Sequence, residues 1–259
     1  MLRDITLGQY YSTDSFLHRL DPRVKIRFTI LYIIVSLFDR NLPFFMLLSA
    51  ICVLEVLLSK VPVFHILKGM RGILIFILVC SALNIFTTRG DTLVAIGALH
   101  ITKEGLIKAG FVFWRMLMLI IVASLLTYTT TPTELTDGLE KCFHLSASVA
   151  VGITIALRFV SVLSEELSRI MRAQEARGAD FHKGGPITRL KKLKTVIVPL
   201  FQNAINRAGN LGDAMDARCY TGGKGRTKLK PLKYDAKDLI IYVFMIAFLL
   251  ISIWLIIHF

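Results

Sequence analysis

Five apolar stretches divided by polar loops leave this chain few folds open. They fall at about 24 to 38, 42 to 59, 72 to 87, 106 to 128 and 238 to 257. A bilayer core needs roughly 20 helical residues per crossing, with a lower bound of ~17. A hydrophobic fraction of 54% and a mean hydropathy of +0.63 are too apolar for an ordinary soluble domain. The spacing predicts an all-α, polytopic membrane protein with about five transmembrane helices. The first is short, stopped by Asp39-Arg40-Asn41 before Pro43 opens the second in its first turn.

Charge then sets the orientation. The formal net charge of +13 lies mostly in segments flanking the apolar runs, as in the cytoplasmic loops of a membrane protein, and argues against nucleic acid as a partner. The N-terminal lead carries Arg3, Arg19, Arg23, Lys25 and Arg27, the loop after the second run carries Lys60, Lys68 and Arg71, and the 130–236 stretch holds seventeen Lys and Arg. The loops near 39 to 41 and 88 to 105 hold only Arg40, Arg89 and Lys103, nearly balanced by Asp39, Asp91 and Glu104. The N-terminus and the long insert are therefore expected in the cytoplasm, and five crossings put Phe259 outside. The acid-containing first 23 residues are unlike a signal peptide, and no cleaved presequence is expected. Three regions result: N-terminal membrane helices at 1–129, a cytoplasmic helical domain at 130–236 and a C-terminal membrane helix at 237–259.

The insert reads as three helices. Pro132-Thr133-Glu134 starts a short one reaching about Phe143. Ser146 or Ser148 caps a second that runs to Arg177, and Gly184-Gly185-Pro186 breaks the chain before a third at about 187 to 218, with Pro199 inside it. The second helix is nearly all apolar from Ala147 to Leu163 and charged from Ser164 onward, which fits a helix that begins on an apolar surface and emerges into water. Its apolar half, with Val151, Ile155 and Leu163, is expected to lie along the membrane boundary or against another apolar subunit. In the third helix Ala204, Ala208, Gly209 and Gly212 would allow close helix approach. The glycines after it do not make a phosphate loop, since GxxxxGK[ST] is not matched.

The candidate functional residues close the two long helices. Ala176-Arg177-Gly178 ends one and Ala217-Arg218-Cys219 the other, forty-one residues apart, each after an acid at Glu175 or Asp216. A cation at a helix C-terminus is favoured by the dipole, which alone would explain one arginine. A recurring pair points further, because guanidinium is a rigid fork suited to carboxylates in a partner's groove, and small alanines let the helix end approach closely. Two such plugs call for two equivalent sockets. Elsewhere the residues read as structural. Arg115 and Glu55 lie inside crossings, Cys52, Cys80, Cys142 and Cys219 form no CxxC pair, and the six histidines form no i, i+4 pair that would hold a metal.

Gly8-Gln9-Tyr10, the stretch from Ser15 to His18, the Leu20-Asp21-Pro22-Arg23 run and the two Ala-Arg motifs, in this order along nearly the whole chain, resemble the transmembrane T component of energy-coupling factor (ECF) transporters. Cys219 stands where that family commonly has glycine. The resemblance implies a non-catalytic scaffold of an ABC-type importer in a bacterial or archaeal plasma membrane. Its expected partners are the bilayer, two cytosolic ABC-type ATPases and one membrane-embedded S component that binds a vitamin or metal ion. Arg177 and Arg218 would be the ATPase-coupling plugs, with Ala176, Gly178, Ala217 and Cys219 shaping their ends, and Val151, Ile155 and Leu163 would belong to a greasy platform on which the S component rests. ATP and Mg would be used by the ATPases, with no cofactor bound directly by this chain. A membrane-bound lipid or isoprenoid enzyme and a non-transport assembly factor are the alternatives. The sequence offers the first no paired carboxylates and no nucleophile with a base.

Overall fold

The computed structural model describes residues 10–11, 13–38, 42–88, 92–96, 99–181, 185–222, 232 and 234–258. Gly8, Gln9, the 39–41 loop, Arg89, Asp91, His182, Gly184, the 223–225 stretch and Phe259, all used above, lie outside the described residues. In order the elements are α1 (Pro22–Leu37), α2 (Leu42–Ser59), α3 (Val63–Gly69), α4 (Arg71–Thr87), β1 (Thr92–Ile96), β2 (Leu99–Thr102), α5 (Lys103–Thr129), α6 (Pro132–Cys142), α7 (Ala147–Ala176), α8 (Pro186–Ala217) and α9 (Ala236–His258). The fold is all-helical in its architecture, with β1 and β2 paired as one small antiparallel hairpin. Neither that hairpin nor the two-turn α3 was expected, since both sit in loops with no apolar period of helical length.

Among the described residues four helices are long and apolar enough to cross a membrane: α2, α5, α7 and α9. At 16 and 17 residues, α1 and α4 fall at or below the length of a full crossing. Among the four, α7 meets the measure by its apolar first half. It also carries Arg158, Glu165, Glu166, Arg169, Arg172 and Glu175.

The chain divides into two compact units, one comprising Gly8–Gly138 with Leu232–Phe259, the other Met1–Leu7 with Leu139–Pro231. The first holds α1 to α5, most of α6, and α9. Its core is built from Val24, Phe28 and Tyr32 of α1, Leu48 of α2, Val122, Leu125 and Tyr128 of α5, and Phe248 of α9, all buried. Water exclusion does not drive such packing inside a bilayer; close fit and internal hydrogen bonds do. Tyr32 stacks on Phe248 at 6.4 Å between centroids and donates its hydroxyl to the Leu48 carbonyl at 3.0 Å. Ser49 and Thr129 return their hydroxyls to carbonyls one turn back, at 3.0 Å and 2.7 Å, so these polar groups stay satisfied in hydrocarbon.

The Leu20-Asp21-Pro22-Arg23 run is a buried staple. Asp21 caps α1 by accepting the Arg23 amide at 2.8 Å, with Pro22 in the first turn where its missing N–H costs nothing. The Arg23 guanidinium bonds the same carboxylate at 2.7 Å and lies 3.8 Å over the Tyr234 ring. Asp238, only 2% exposed, accepts the Asp21 amide at 3.0 Å and the Asp235 amide at 2.8 Å. The start of α1 is thereby tied to the start of α9, 217 residues on. Ser15 and His18 form a local knot, Ser15 Oγ lying 2.6 Å from His18 Nδ1 and His18 Nε2 2.9 Å from the Tyr11 carbonyl.

Candidate functional site

The second unit carries the paired motifs on α7 and α8. Ser146 holds the position before α7 in extended backbone but its side chain makes no capping hydrogen bond, and α8 starts on Pro186 and runs unbroken through Pro199. The two helices are pinned to each other where Glu166 of α7 accepts from Asn203 at 3.1 Å and pairs with Arg207 at 3.5 Å. Arg177 lies eleven residues beyond Glu166 and Arg218 eleven beyond Arg207 (177 − 166 and 218 − 207). The two arms past the crossing are therefore equal, each roughly 16 Å long at 1.5 Å per residue. Eleven residues is close to three full turns, so each arginine emerges near the face of its helix that makes the crossing.

Both arms end the same way. At the first, Gly178 N–H donates to the Glu175 carbonyl at 2.9 Å and Ala179 N–H to the Gln174 carbonyl at 2.9 Å. At the second, Cys219 N–H donates to Asp216 at 2.8 Å and Tyr220 N–H to Met215 at 3.0 Å. Each is a Schellman cap, in which the residue after the cap turns left-handed so that orphan carbonyls of the last turn find donors. Gly178 takes φ +88° and Cys219 φ +55° at the equivalent position. Arg177 and Arg218 are the cap residues themselves, at φ −84°, ψ 9° and φ −94°, ψ 15°. Two matched backbones thus present two guanidiniums in matched settings. Ala176, Arg177 and Gly178 are exposed, as are Ala217, Arg218 and Cys219. Among the described residues neither guanidinium makes an ion pair or hydrogen bond, so each is available to an outside carboxylate.

The cap explains how cysteine replaces glycine without disturbing the arginine: it adopts the glycine's conformation at a cost of about 1 kcal/mol. Cys219→Gly is expected to stabilise this helix end by about that amount and leave uptake unchanged or slightly higher, checked by thermal unfolding and transport assay. Lost uptake at equal expression would assign the thiol a role of its own.

The structure puts Val151, Ile155 and Leu163 in a half-buried setting on α7. The exposed large apolar residues of that helix are Val149, Ile153 and Val160. On α8 a ridge at four-residue spacing, Leu193, Ile197, Phe201 and Ile205, is exposed by 46% to 65%. Sequence reasoning missed this ridge, although its i, i+4 spacing between the basic start and the small residues of α8 was there to be read. A Cβ added at Gly209 or Gly212 would meet nothing within 4 Å, so these glycines face open space here and are not used for helix contact within the chain. In the first unit the reasoning passed over Asp238 and Tyr234, whose partners are distant in sequence.

Comparison with known proteins agrees with this architecture. The family described as "Cobalt transport protein" matches residues 13–229. The "Energy-coupling factor transporter transmembrane protein EcfT" of Clostridium kluyveri is 42% identical over 262 aligned positions, covering 98% of this chain and 97% of that protein. Its namesake from Heliobacterium modesticaldum is 40% identical, covering 98% of each. That of Listeria innocua is 38% identical over 98% of this chain and 99% of its own length. With most of its length matched by the family and nearly all of it by relatives at about 40% identity, this multi-pass membrane chain belongs to the energy-coupling factor transporter transmembrane proteins.

Proposed function

We propose that this chain couples ATP hydrolysis by two cytosolic ABC-type ATPases to the movement of one membrane-embedded S component that carries a vitamin or other micronutrient. The observation that carries this reading is the pair of congruent caps, eleven residues past a shared crossing, each offering an unengaged arginine. Arg177 and Arg218 plug one ATPase each; Ala176 and Ala217 keep the approach close, and Gly178 and Cys219 turn the chain away behind the plug. The crossing at Glu166, Asn203 and Arg207 is the stiff joint through which closure of the ATPase pair moves the arms together. ATP and Mg act in the partner subunits, and this chain has no catalytic step. The family likeness supports a place in the plasma membrane of a bacterium or archaeon, and the Lys and Arg distribution supports an N-terminus and an α6–α8 region in the cytoplasm.

The S component rests on the apolar residues that α7 and α8 leave exposed, with Val151, Ile155 and Leu163 flanking them. Non-directional contact permits sliding that a polar lock would resist. A carboxylate placed in such a desolvated contact costs roughly 2 kcal/mol or more, which is more than tenfold in affinity. Val151→Asp, Ile155→Asp and Phe201→Asp are therefore expected to lose the S component on purification while both ATPases stay attached. ATPases lost with the S component retained would move this surface to the ATPase interface.

A further inference from the structure

Four helices of the membrane unit, α1, α2, α5 and α9, leave a cavity of about 210 Å³ beside Lys25, Thr129 and Glu55. That exceeds the ~150 Å³ apolar cavity known to take up a benzene-sized molecule. Val24, Phe28, Ile51, Val122 and Leu125 supply its inner wall. Leu54 and Leu58 of α2 and Ile240 of α9 also line it, yet are 46%, 39% and 65% exposed. The cavity thus opens sideways, and around membrane helices that direction holds lipid chains rather than water.

Two ionisable side chains, Lys25 and Glu55, share this otherwise greasy space. Glu55 is 9% exposed, and its Oε2 has no hydrogen-bond partner among the described residues. An orphan acceptor in an apolar wall is costly to keep and calls for a donor from outside the chain. Lys25 donates to the carbonyls of Thr129 at 2.8 Å and His18 at 3.3 Å; an ammonium has three N–H bonds, so one is left over among the described residues. Glu55 lies one turn inside the end of α2, roughly 6 Å along the axis, and Lys25 lies in the first turn of α1. Both therefore sit where acyl chains give way to headgroups.

We propose that this cavity is a phospholipid site that admits one acyl chain between α2 and α9 and selects an ammonium headgroup, Glu55 accepting from the ammonium while Lys25 turns its remaining N–H to the phosphate. The opening admits hydrocarbon, the orphan acid needs a donor, and the neighbouring cation suits the anion that the same headgroup carries. The site lies wholly within the first unit and stands or falls separately from the coupling role of Arg177 and Arg218.

The test is titration of the full chain, purified in mild detergent, with phosphatidylethanolamine, phosphatidylcholine and phosphatidylglycerol of matched chains, bound lipid being counted by native mass spectrometry. Phosphatidylethanolamine should be retained over phosphatidylcholine, which has no N–H donor, by roughly tenfold, the equivalent of about 1.4 kcal/mol. Glu55→Leu should abolish that preference while a lipid remains bound, and Val122→Trp, which fills the cavity, should release lipid of every headgroup. Leucine in place of a buried unpaired acid is tolerated by a fold, and added phosphatidylethanolamine should raise the melting temperature of the wild type but not of Glu55→Leu. Equal retention of the three lipids by the wild type, or a preference that survives in Glu55→Leu, would overturn the proposal.

Discussion

Arg177→Ala and Arg218→Ala should each cut substrate uptake sharply, and the double substitution should lose the assembled transporter. On the proposed coupling, each change would strand a partner carboxylate in a desolvated socket, a loss of roughly 2 to 5 kcal/mol at that contact, or at least about thirtyfold in affinity. The fold itself should survive, because both caps are closed by main-chain bonds such as Ala179 N–H to Gln174 and Tyr220 N–H to Met215, which alanine leaves in place. Arg→Lys should recover only part of the uptake, since a point charge lacks the planar fork. Uptake and ATPase co-purification, read at equal expression, check all of these; full transport by the double variant would remove the arginines from the coupling path.

Asp238→Ala should be the most damaging single change to the membrane unit. Its carboxylate accepts two backbone amides, from Asp21 and Asp235, at a position only 2% exposed. Hydrogen bonds to a charged group contribute about 1.5 to 3 kcal/mol each, so losing both and leaving a buried donor unpaired should cost about 3 kcal/mol or more. Asp238→Asn, which keeps one acceptor oxygen, should lose about half of that. The measurement is the melting temperature of the detergent-solubilised chain: a clear drop for alanine and a smaller one for asparagine. An unchanged melting temperature in Asp238→Ala would mean that the tie between α1 and α9 does not hold the unit together.

The helices were legible because their signals are local. Continuous apolarity marked the runs that became α2, α4, α5 and α9, to within a few residues at each end. Proline, serine and glycine punctuation marked the ends of α6, α7 and α8. The Ala-Arg echoes were legible for the same reason, since a helix stop is written in three residues. That Cys219 would copy the left-handed turn of Gly178 was less so, because cysteine takes that conformation only when the rest of the cap demands it.

What could not be read was pairing at a distance. Asp238 looks like one more acid at the start of an apolar run, and only the folded chain brings it to the Asp21 amide. Glu166 is one of several charges on α7, and its place at the crossing depends on Asn203 and Arg207, which lie on the other side of a break in the chain. The exposed ridge of α8 and the half-buried setting of Val151, Ile155 and Leu163 follow from how α7 and α8 turn toward each other. Two helices apolar on similar arcs can meet in more than one rotation, and periodicity alone does not choose between them.

On the proposed function one chain seats two ATPases, one on each arginine arm. The most direct measurement is site-directed cross-linking in the assembled transporter, with Ala176→Cys and Ala217→Cys introduced separately and together after the native cysteines are replaced. Each single variant should join the chain to one ATPase, and the double variant should yield a product of one chain with two. A double variant that joins only one ATPase subunit through both positions, or none, would mean that the two arms do not each seat an ATPase.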